Sequence, residues 1–208
     1  MTRKTSPLRF AAYALSLVGL LTAGRAHAAA WEIDPSHSGA QFSVRHLMVS
    51  NVRGEFGKVT GTIEYNDKDP SKSRVEATID VSSINTREPK RDEHLKGADF
   101  FDVAKFPTIT FKSKRVAQAG AGKLKVTGDL SIHGVTREVV LDVEGPAAET
   151  KDPWGNIRTG AQATTKINRK DFGLGWNKLL ESGGVAVGEE VSITIDVEMT
   201  RKQDKPAK

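Results

Sequence analysis

The residue types of a hydrolase triad occur together near the start of the chain, as Asp34, His37 and Ser38. A working triad is assembled from separate segments on a rigid scaffold. Here all three fall within five residues, and no Gly-x-Ser-x-Gly turn is present to strain a serine nucleophile. Asp34-Pro35-Ser36 reads instead as a turn ahead of a strand. The densest ionisable cluster is Arg91-Asp92-Glu93-His94 with Asp99 and Asp102 nearby. It lacks the paired-histidine spacing that fixes a metal, so it reads as a solvated helix face. His46 shares a face with Phe42, Val44 and Met48. That position suits either a hydrogen-bonded core histidine or one of the few polar groups that orient an apolar ligand. The run Phe172-Gly173-Leu174-Gly175-Trp176, followed by Gly183, Gly184 and Gly188, has no lysine–serine ending and opens no helix, so it is no phosphate cradle. It reads as a flap beside an opening, which Leu174, Trp176, Leu179 and Leu180 either cover or flank by packing on the wall. These residues point to no catalysis, no cofactor and no metal.

Composition narrows the classes further. The 208 residues include no cysteine, which removes disulfides, cysteine-ligated metal sites and thiol chemistry. The chain has 31 basic and 26 acidic residues. Residues 1–28 have the plan of a secretory signal: Arg3, Lys4 and Arg9 precede an uncharged stretch over 10–21, and Ala26-His27-Ala28 supplies the small–x–small cleavage pattern. Ala28-Ala29-Ala30 offers a second cut two residues later. A stretch of that length is too short to span a bilayer, which needs roughly 20 apolar residues. The segment carries four of the basic residues (Arg25 is the fourth) and no acid, so the expected mature chain holds 27 against 26. That balance removes the electrostatic case for nucleic acid. The expected location is the periplasm, with no integral membrane segment in the mature chain.

The elements that would position a site are strands. Val191, Ile193, Ile195, Val197 and Met199 alternate with polar residues, as do Leu124, Val126, Leu130 and Ile132, and Val75, Ala77, Ile79 and Val81. Shorter runs are Phe42/Val44/His46/Met48, Val59/Gly61/Ile63/Tyr65, Ile109/Phe111 and Val139/Leu141/Val143, with a weaker strand over 159–168. Period 2 with one apolar face is the pattern of antiparallel sheets. About eight such runs suit a small barrel or a sandwich. The long, glycine-bent strands over 39–49 and 54–66 favour the barrel. His133-Gly134 suits a tight hairpin, and Pro89 opens a short helix over 90–98. Residues 201–208 read as a polar, disordered tail.

Several segments carry a family resemblance. They include Trp31-x-Ile33-Asp34-Pro35-x-His37-Ser38, Phe42-x-Val44-x-His46, Gly54-x-Phe56 and Ser83-Ile84. Arg91-Asp92-x-His94-Leu95, Asp99-Phe100-Phe101-Asp102 and Phe106-Pro107-x-Ile109-Thr110-Phe111 follow. Gly128-x-Leu130-x-Ile132-His133-Gly134-x-Thr136, Arg169-x-Asp171-Phe172-Gly173 and Val187-Gly188-Glu189-Glu190-Val191 complete the series. In this order the chain resembles the YceI-like, polyisoprenoid-binding proteins of bacteria from Trp31 to about Thr200. The resemblance implies an all-β fold: an extended eight-stranded antiparallel, lipocalin-like barrel with a short helical insertion, over residues 29–200. It implies a pore for a long-chain isoprenoid lipid, such as a polyprenyl phosphate or an isoprenoid quinone, or a similar amphiphile. It also implies secretion, frequent homodimers and no established catalytic residues.

Within that frame the inward-facing, ligand-binding candidates are Phe42, Val44, His46, Met48, Val75, Ile79, Leu124, Val126, Leu130, Ile193 and Ile195. Arg45, Arg53, Arg87 and Arg91 are candidates for an anionic head group. Two other readings stand beside the carrier. One is a lipid-modifying enzyme with His46 or His94 as base; the other is a stress-related structural protein whose barrel is filled by its own side chains.

Overall fold

The computed structural model describes residues 29–181 and 183–202; the expected signal segment and residues 203–208 lie outside them. The chain runs through β1 (Ala29–Ile33), β2 (Gly39–His46), β3 (Ser50–Phe56), β4 (Val59–Tyr65), β5 (Arg74–Asp80), β6 (Ile84–Asn85), α1 (Pro89–Lys96), β7 (Thr108–Gly120), β8 (Lys123–Ile132), β9 (Val135–Glu144), β10 (Thr150–Lys151), β11 (Ile157–Asn168) and β12 (Val187–Arg201). All neighbouring pairs are antiparallel. Eight strands close a ring in the order β1-β4-β5-β7-β8-β9-β11-β12, with β12 returning to β1. β12 is long enough to pair with β1 through Met199–Arg201 and then with β2 from Asp196 to Val187. β2, β3 and β6 therefore extend the wall beyond the ring, and β10 adds a short hairpin arm to β11. The fold is an eight-stranded, lipocalin-like barrel with extra strands and one short helix.

Local chemistry accounts for the corners. Ile132 and Val135 face each other across a two-residue turn in which His133 (φ 51°) and Gly134 (φ 75°) are both left-handed. That is the hairpin geometry whose twist matches the strands it joins. Asp34 accepts from the Ser36 amide at 2.9 Å and ends β1 as expected. α1 has Pro89 at its first turn, a Glu88 side-chain cap on Lys90 N, and Gly97 at its end. No residue of this helix is fully buried; it is held by its flanks. Thr86 donates to Asp92 (2.8 Å from N, 2.5 Å from Oγ1), and Arg91 Nε donates back to Thr86 Oγ1 at 2.8 Å. The acidic cluster around α1 is thus a set of local braces.

Four expectations needed correction. The run over 54–66 is two strands, since β3 ends at Phe56 and β4 begins at Val59. β2 stops at His46 rather than continuing through Val49, because Leu47 (φ 50°) and Met48 (φ 61°) form the turn into β3. β7 runs on to Gly120, well past the Ile109/Phe111 pair; its second half is polar and is carried by pairing with β8. Arg201 closes β12 instead of starting a loose tail.

Gly128 shows how tightly the wall is packed. It lies opposite Ser113, beside a register shift in the β7–β8 pairing. A Cβ there would stand 2.5 Å from the Lys112 carbonyl oxygen and 2.6 Å from the Phe111 ring. Gly128→Val is expected to destabilise the fold by about 1–3 kcal/mol through overpacking. Urea denaturation of variant and wild type, compared at equal m-value, measures it.

Candidate functional site

The inward face of the ring encloses a cavity of about 690 Å³. Its lining runs from Val187 at one end of β12 to Arg201 at the other. At about 3.3 Å per residue and a strand tilt near 40°, that spans roughly 35 Å along the barrel axis. The volume is therefore a narrow tunnel rather than a round chamber. Small side chains make room for it: Ala77 on β5 and Ala161 and Ala163 on β11 face inward where larger residues would close the bore. Larger apolar groups, among them Ile63, Val116, Leu141, Val191 and Val197, complete the walls. Two inward hydroxyls are already engaged by the protein, Thr159 Oγ1 by the Ala147 carbonyl at 2.7 Å and Thr165 Oγ1 by that of Val140 at 2.9 Å. The middle of the tunnel is apolar.

The ends differ. At one, the lining residues Phe100, Leu174 and Arg169 are buried, and Phe56 packs tilted on Phe42 and edge-to-face on Phe101, with centroids 5.7 and 5.6 Å apart. The glycine-rich segment lies over this end. Arg169, 4% exposed, pins it: Nε donates to Gly188 O at 2.8 Å, Nη1 to Trp176 O at 2.9 Å and to Leu174 O, and Nη2 to Val187 O. Burial lowers the Arg169 pKa, and Glu189 opposes that shift; a guanidinium stays charged regardless. At the opposite end the lining residues Asp67, Ala147, Ala148 and Glu149 are exposed. There Arg201 lies over the Trp31 ring, 5.0 Å from its centroid, and is paired with Glu149. This end is the mouth.

Nine of the expected lining residues border the cavity: Phe42, Val44, Val75, Ile79, Leu124, Val126, Leu130, Ile193 and Ile195. His46 and Met48 do not. His46 is the last residue of β2, and Met48, in the turn, is 52% exposed. None of the four expected arginines borders it either. Arg45 and Arg53 alternate with Val44 and Gly54, so the two-residue period turns them outward. Arg45 Nη2 donates to Met48 O at 2.8 Å. Arg87 is exposed in a left-handed turn (φ 63°), and Arg91 is spent on Thr86. The cations in the lining are Arg169 and Arg201. Sequence reasoning missed them because one lies just before the glycine-rich run and the other at the supposed start of the tail, although both continue the period-2 inward sets of β11 and β12. His94 is held at 2.9 Å by Asp99 on the outer surface, against Phe100 and Trp176, and does not border the cavity.

Among the described residues, one group has metal-ligand character: Asp34, His37 and Glu198, whose ligand atoms lie within 4.8 Å of one another. A cation from the protein already holds it. Arg158 Nη1 is 2.7 Å from Asp34 and also bonds Glu198, while its Nε is 2.8 Å from Asp152. His37 Nδ1 is 3.0 Å from Asp34, and Ser38 Oγ bonds the Glu198 backbone, so serine and histidine do not meet. The Arg158 guanidinium, helped by His37, holds the Asp34 carboxyl well below the usual range, and Arg158 also lowers Asp152 to about 2. Because both folded-state values lie below those of the unfolded chain, this network stabilises fully above about pH 5 and is lost as pH falls through 2 and below. Arg158→Met is expected to lower the thermal midpoint by a few degrees at pH 7. The difference between variant and wild type should shrink as pH falls from about 5 and vanish only below about pH 2, as read by circular dichroism melts across that range.

Residues 31–199 match the YceI-like domain family. A Staphylococcus aureus protein of the UPF0312 group is 40% identical over 167 residues, covering 80% of this chain and 95% of its own. The solved Campylobacter jejuni YceI protein is 31% identical, with a TM-score of 0.64 over 76% of this chain and 90% of that one. A polyisoprenoid binding domain from Saccharophagus degradans, 18% identical, shares the fold with a TM-score of 0.61, covering 84% of this chain and 99% of its own.

Proposed function

The chain belongs to the YceI-like domain family, and from that premise we propose that its barrel carries or stores a long-chain isoprenoid lipid, or a similar amphiphile, without turning it over. The observation that carries this reading is the tunnel: apolar along its middle, closed at one end and exposed at the other. Each buried CH₂ contributes about 0.8 kcal/mol, whereas association costs roughly 4–15 kcal/mol of lost freedom. About ten carbons therefore only offset that cost, and a longer chain is needed to bind well. A polyprenyl phosphate or isoprenoid quinone meets the requirement with its tail in the bore and its polar head in water at the mouth, where Arg201 is the lining cation.

The cavity argues against a barrel filled by its own side chains. The base proposed for a lipid-modifying enzyme also lacks support, since neither His46 nor His94 borders the tunnel. Export to the periplasm fits a cargo made in membranes. Cleavage after Ala28 would leave β1 whole, whereas cleavage after Ala30 would remove Ala29, which pairs with Tyr65 and lines the bore. No described helix is long and apolar enough to cross a membrane.

Ala163→Phe places a ring in the bore. It is expected to cut binding of a polyprenyl phosphate or a displaceable apolar dye at least tenfold, with the far-ultraviolet circular dichroism unchanged. Native mass spectrometry of wild type purified without detergent should show a stoichiometric lipid adduct that the variant lacks. A wild type that stays free of lipid when isoprenoid quinones and polyprenyl phosphates are added would sink the proposal.

A further inference from the structure

A carrier of membrane lipid must meet a membrane, and the mouth end of this barrel is built to do so. β10 and β11 form an arm beside the mouth: Thr150 follows directly on the cavity-lining residue Glu149, and Ile157, in line with Lys151, is next to Arg158, the partner of Thr200. At the tip of this arm stands Trp154, 81% exposed. Exposing a large apolar surface to water is unfavourable, yet the turn that does so is heavily braced. Asp152 accepts from Trp154 N at 3.0 Å, Asn156 N at 2.8 Å and Asn156 Nδ2 at 2.9 Å, and is paired with Arg158. Gly155 (φ 93°) donates its amide to the Asp152 carbonyl at 3.0 Å, and Pro153 fixes the other side of the turn. The indole is thus held out from the end through which the tunnel is exposed.

The same rim also presents cations that stand in no ion pair among the described residues. Lys68, Arg74, Lys151 and Lys202 lie on the elements around the mouth, against the carboxylates Glu64 and Asp67. The ion pairs of this end among the described residues are Lys72 with Asp69, Lys123 with Glu144, Arg201 with Glu149, and Arg158 with Asp34, Asp152 and Glu198, and they leave those four cations out. Tryptophan favours the membrane–water boundary because its ring is apolar and its N–H is polar, and nearby lysines and arginines are drawn to acidic lipids. We propose that the mouth end docks on the surface of an anionic phospholipid bilayer, with Trp154 as its interfacial anchor. Cargo then passes between bilayer and tunnel without crossing open water. The inference rests on the carrier reading above.

The test uses wild-type protein and vesicles of phosphatidylethanolamine with phosphatidylglycerol, or of phosphatidylcholine alone. Wild type is expected to float with the anionic vesicles, with a blue shift in tryptophan emission, and to lose at least tenfold in association at high salt or on phosphatidylcholine. Trp154→Ser should lose at least tenfold on the anionic vesicles, and Trp154→Phe should recover part of it. A double Met48→Ser, Leu179→Ser variant alters exposed apolar residues at the opposite end and should float like wild type. Absence of flotation by wild type overturns the proposal, as does undiminished flotation of Trp154→Ser. Loss confined to the Met48/Leu179 variant overturns it too, by assigning docking to the closed end. Native mass spectra separate the two readings: a filled cavity without flotation removes docking alone. An empty cavity with flotation sensitive to Trp154 removes the carrier reading and leaves docking standing.

Discussion

β11 and β12 pair without interruption from Arg158 opposite Thr200 to Asn168 opposite Glu190. Without that ladder the sheet would be an open ribbon of strands with β11 and β12 near opposite ends of the ring order, each leaving a row of unpaired amides and carbonyls. With it, every inward side chain from Trp31 to Met199 faces the same enclosed volume. Closure also fixes what the volume contains. A ring of eight strands has little interior, so the size of each inward residue decides whether the bore is solid or hollow. β11 presents Thr159, Ala161, Ala163 and Thr165 to that interior, with Ile167 as its one large inward residue. The strand that closes the wall is therefore the one that contributes least to filling it, and tunnel and closure arise from the same residues.

The ends are treated differently by the chain, and the difference is chemical. At the closed end, the irregular backbone over residues 173–181 and 183–186 covers the bore with a single bridge, Leu179 to Val185, in place of a ladder. Arg169 supplies the missing donors to Leu174, Trp176, Val187 and Gly188. A buried guanidinium is costly unless its hydrogens are used, and here four carbonyls use them. At the mouth, ionisable groups remain in contact with water and the wall ends in the exposed Ala147–Ala148 stretch. A chain-like ligand with one polar end matches this polarity gradient in only one orientation, tail inward.

How much of this was legible in the sequence depended on side-chain contrast. β5, β8 and β12 alternate large apolar with charged residues, and their inward sets were readable. β11 alternates alanine and threonine with polar residues, so its hydrophobic signal was weak although its register is the most extensive in the barrel. The second half of β7, Lys112–Gly120, has Val116 as its one large apolar residue, with Ala117 and Ala119, and becomes a strand because β8 pairs with it. The ends were least legible. Period 2 extrapolated past His46 placed Met48 inside, but left-handed residues at 47 and 48 cancel the alternation there. For the arginines, a basic residue adjacent to an inward valine is outward by the same period, so Arg45 and Arg53 were excluded by the pattern that nominated Val44. Arg169 and Arg201 reach the lining in step with the alternation, each one period beyond an inward apolar residue, Ile167 and Met199; the pattern nominated the apolar residues and stopped one step short of the charged ones.

The Asp34–Arg158–Asp152 network ties these features together. Its residues have the types of a catalytic or metal site, yet each acceptor is spent on a structural task. Asp34 turns β1 into β2, Asp152 shapes the β10–β11 turn, and Glu198 belongs to the closing strand. Arg158 joins all three from the strand that completes the barrel. Three segments far apart in sequence are thereby held near the mouth by one planar group with several fixed donors, which a lysine does not replace. A mouth built of independent loops would widen and narrow as each moved. Cross-linking the β1–β2 turn, β12 and the hairpin arm through one guanidinium fixes the arm relative to the rim, so that a group presented at its tip keeps a constant height above the opening.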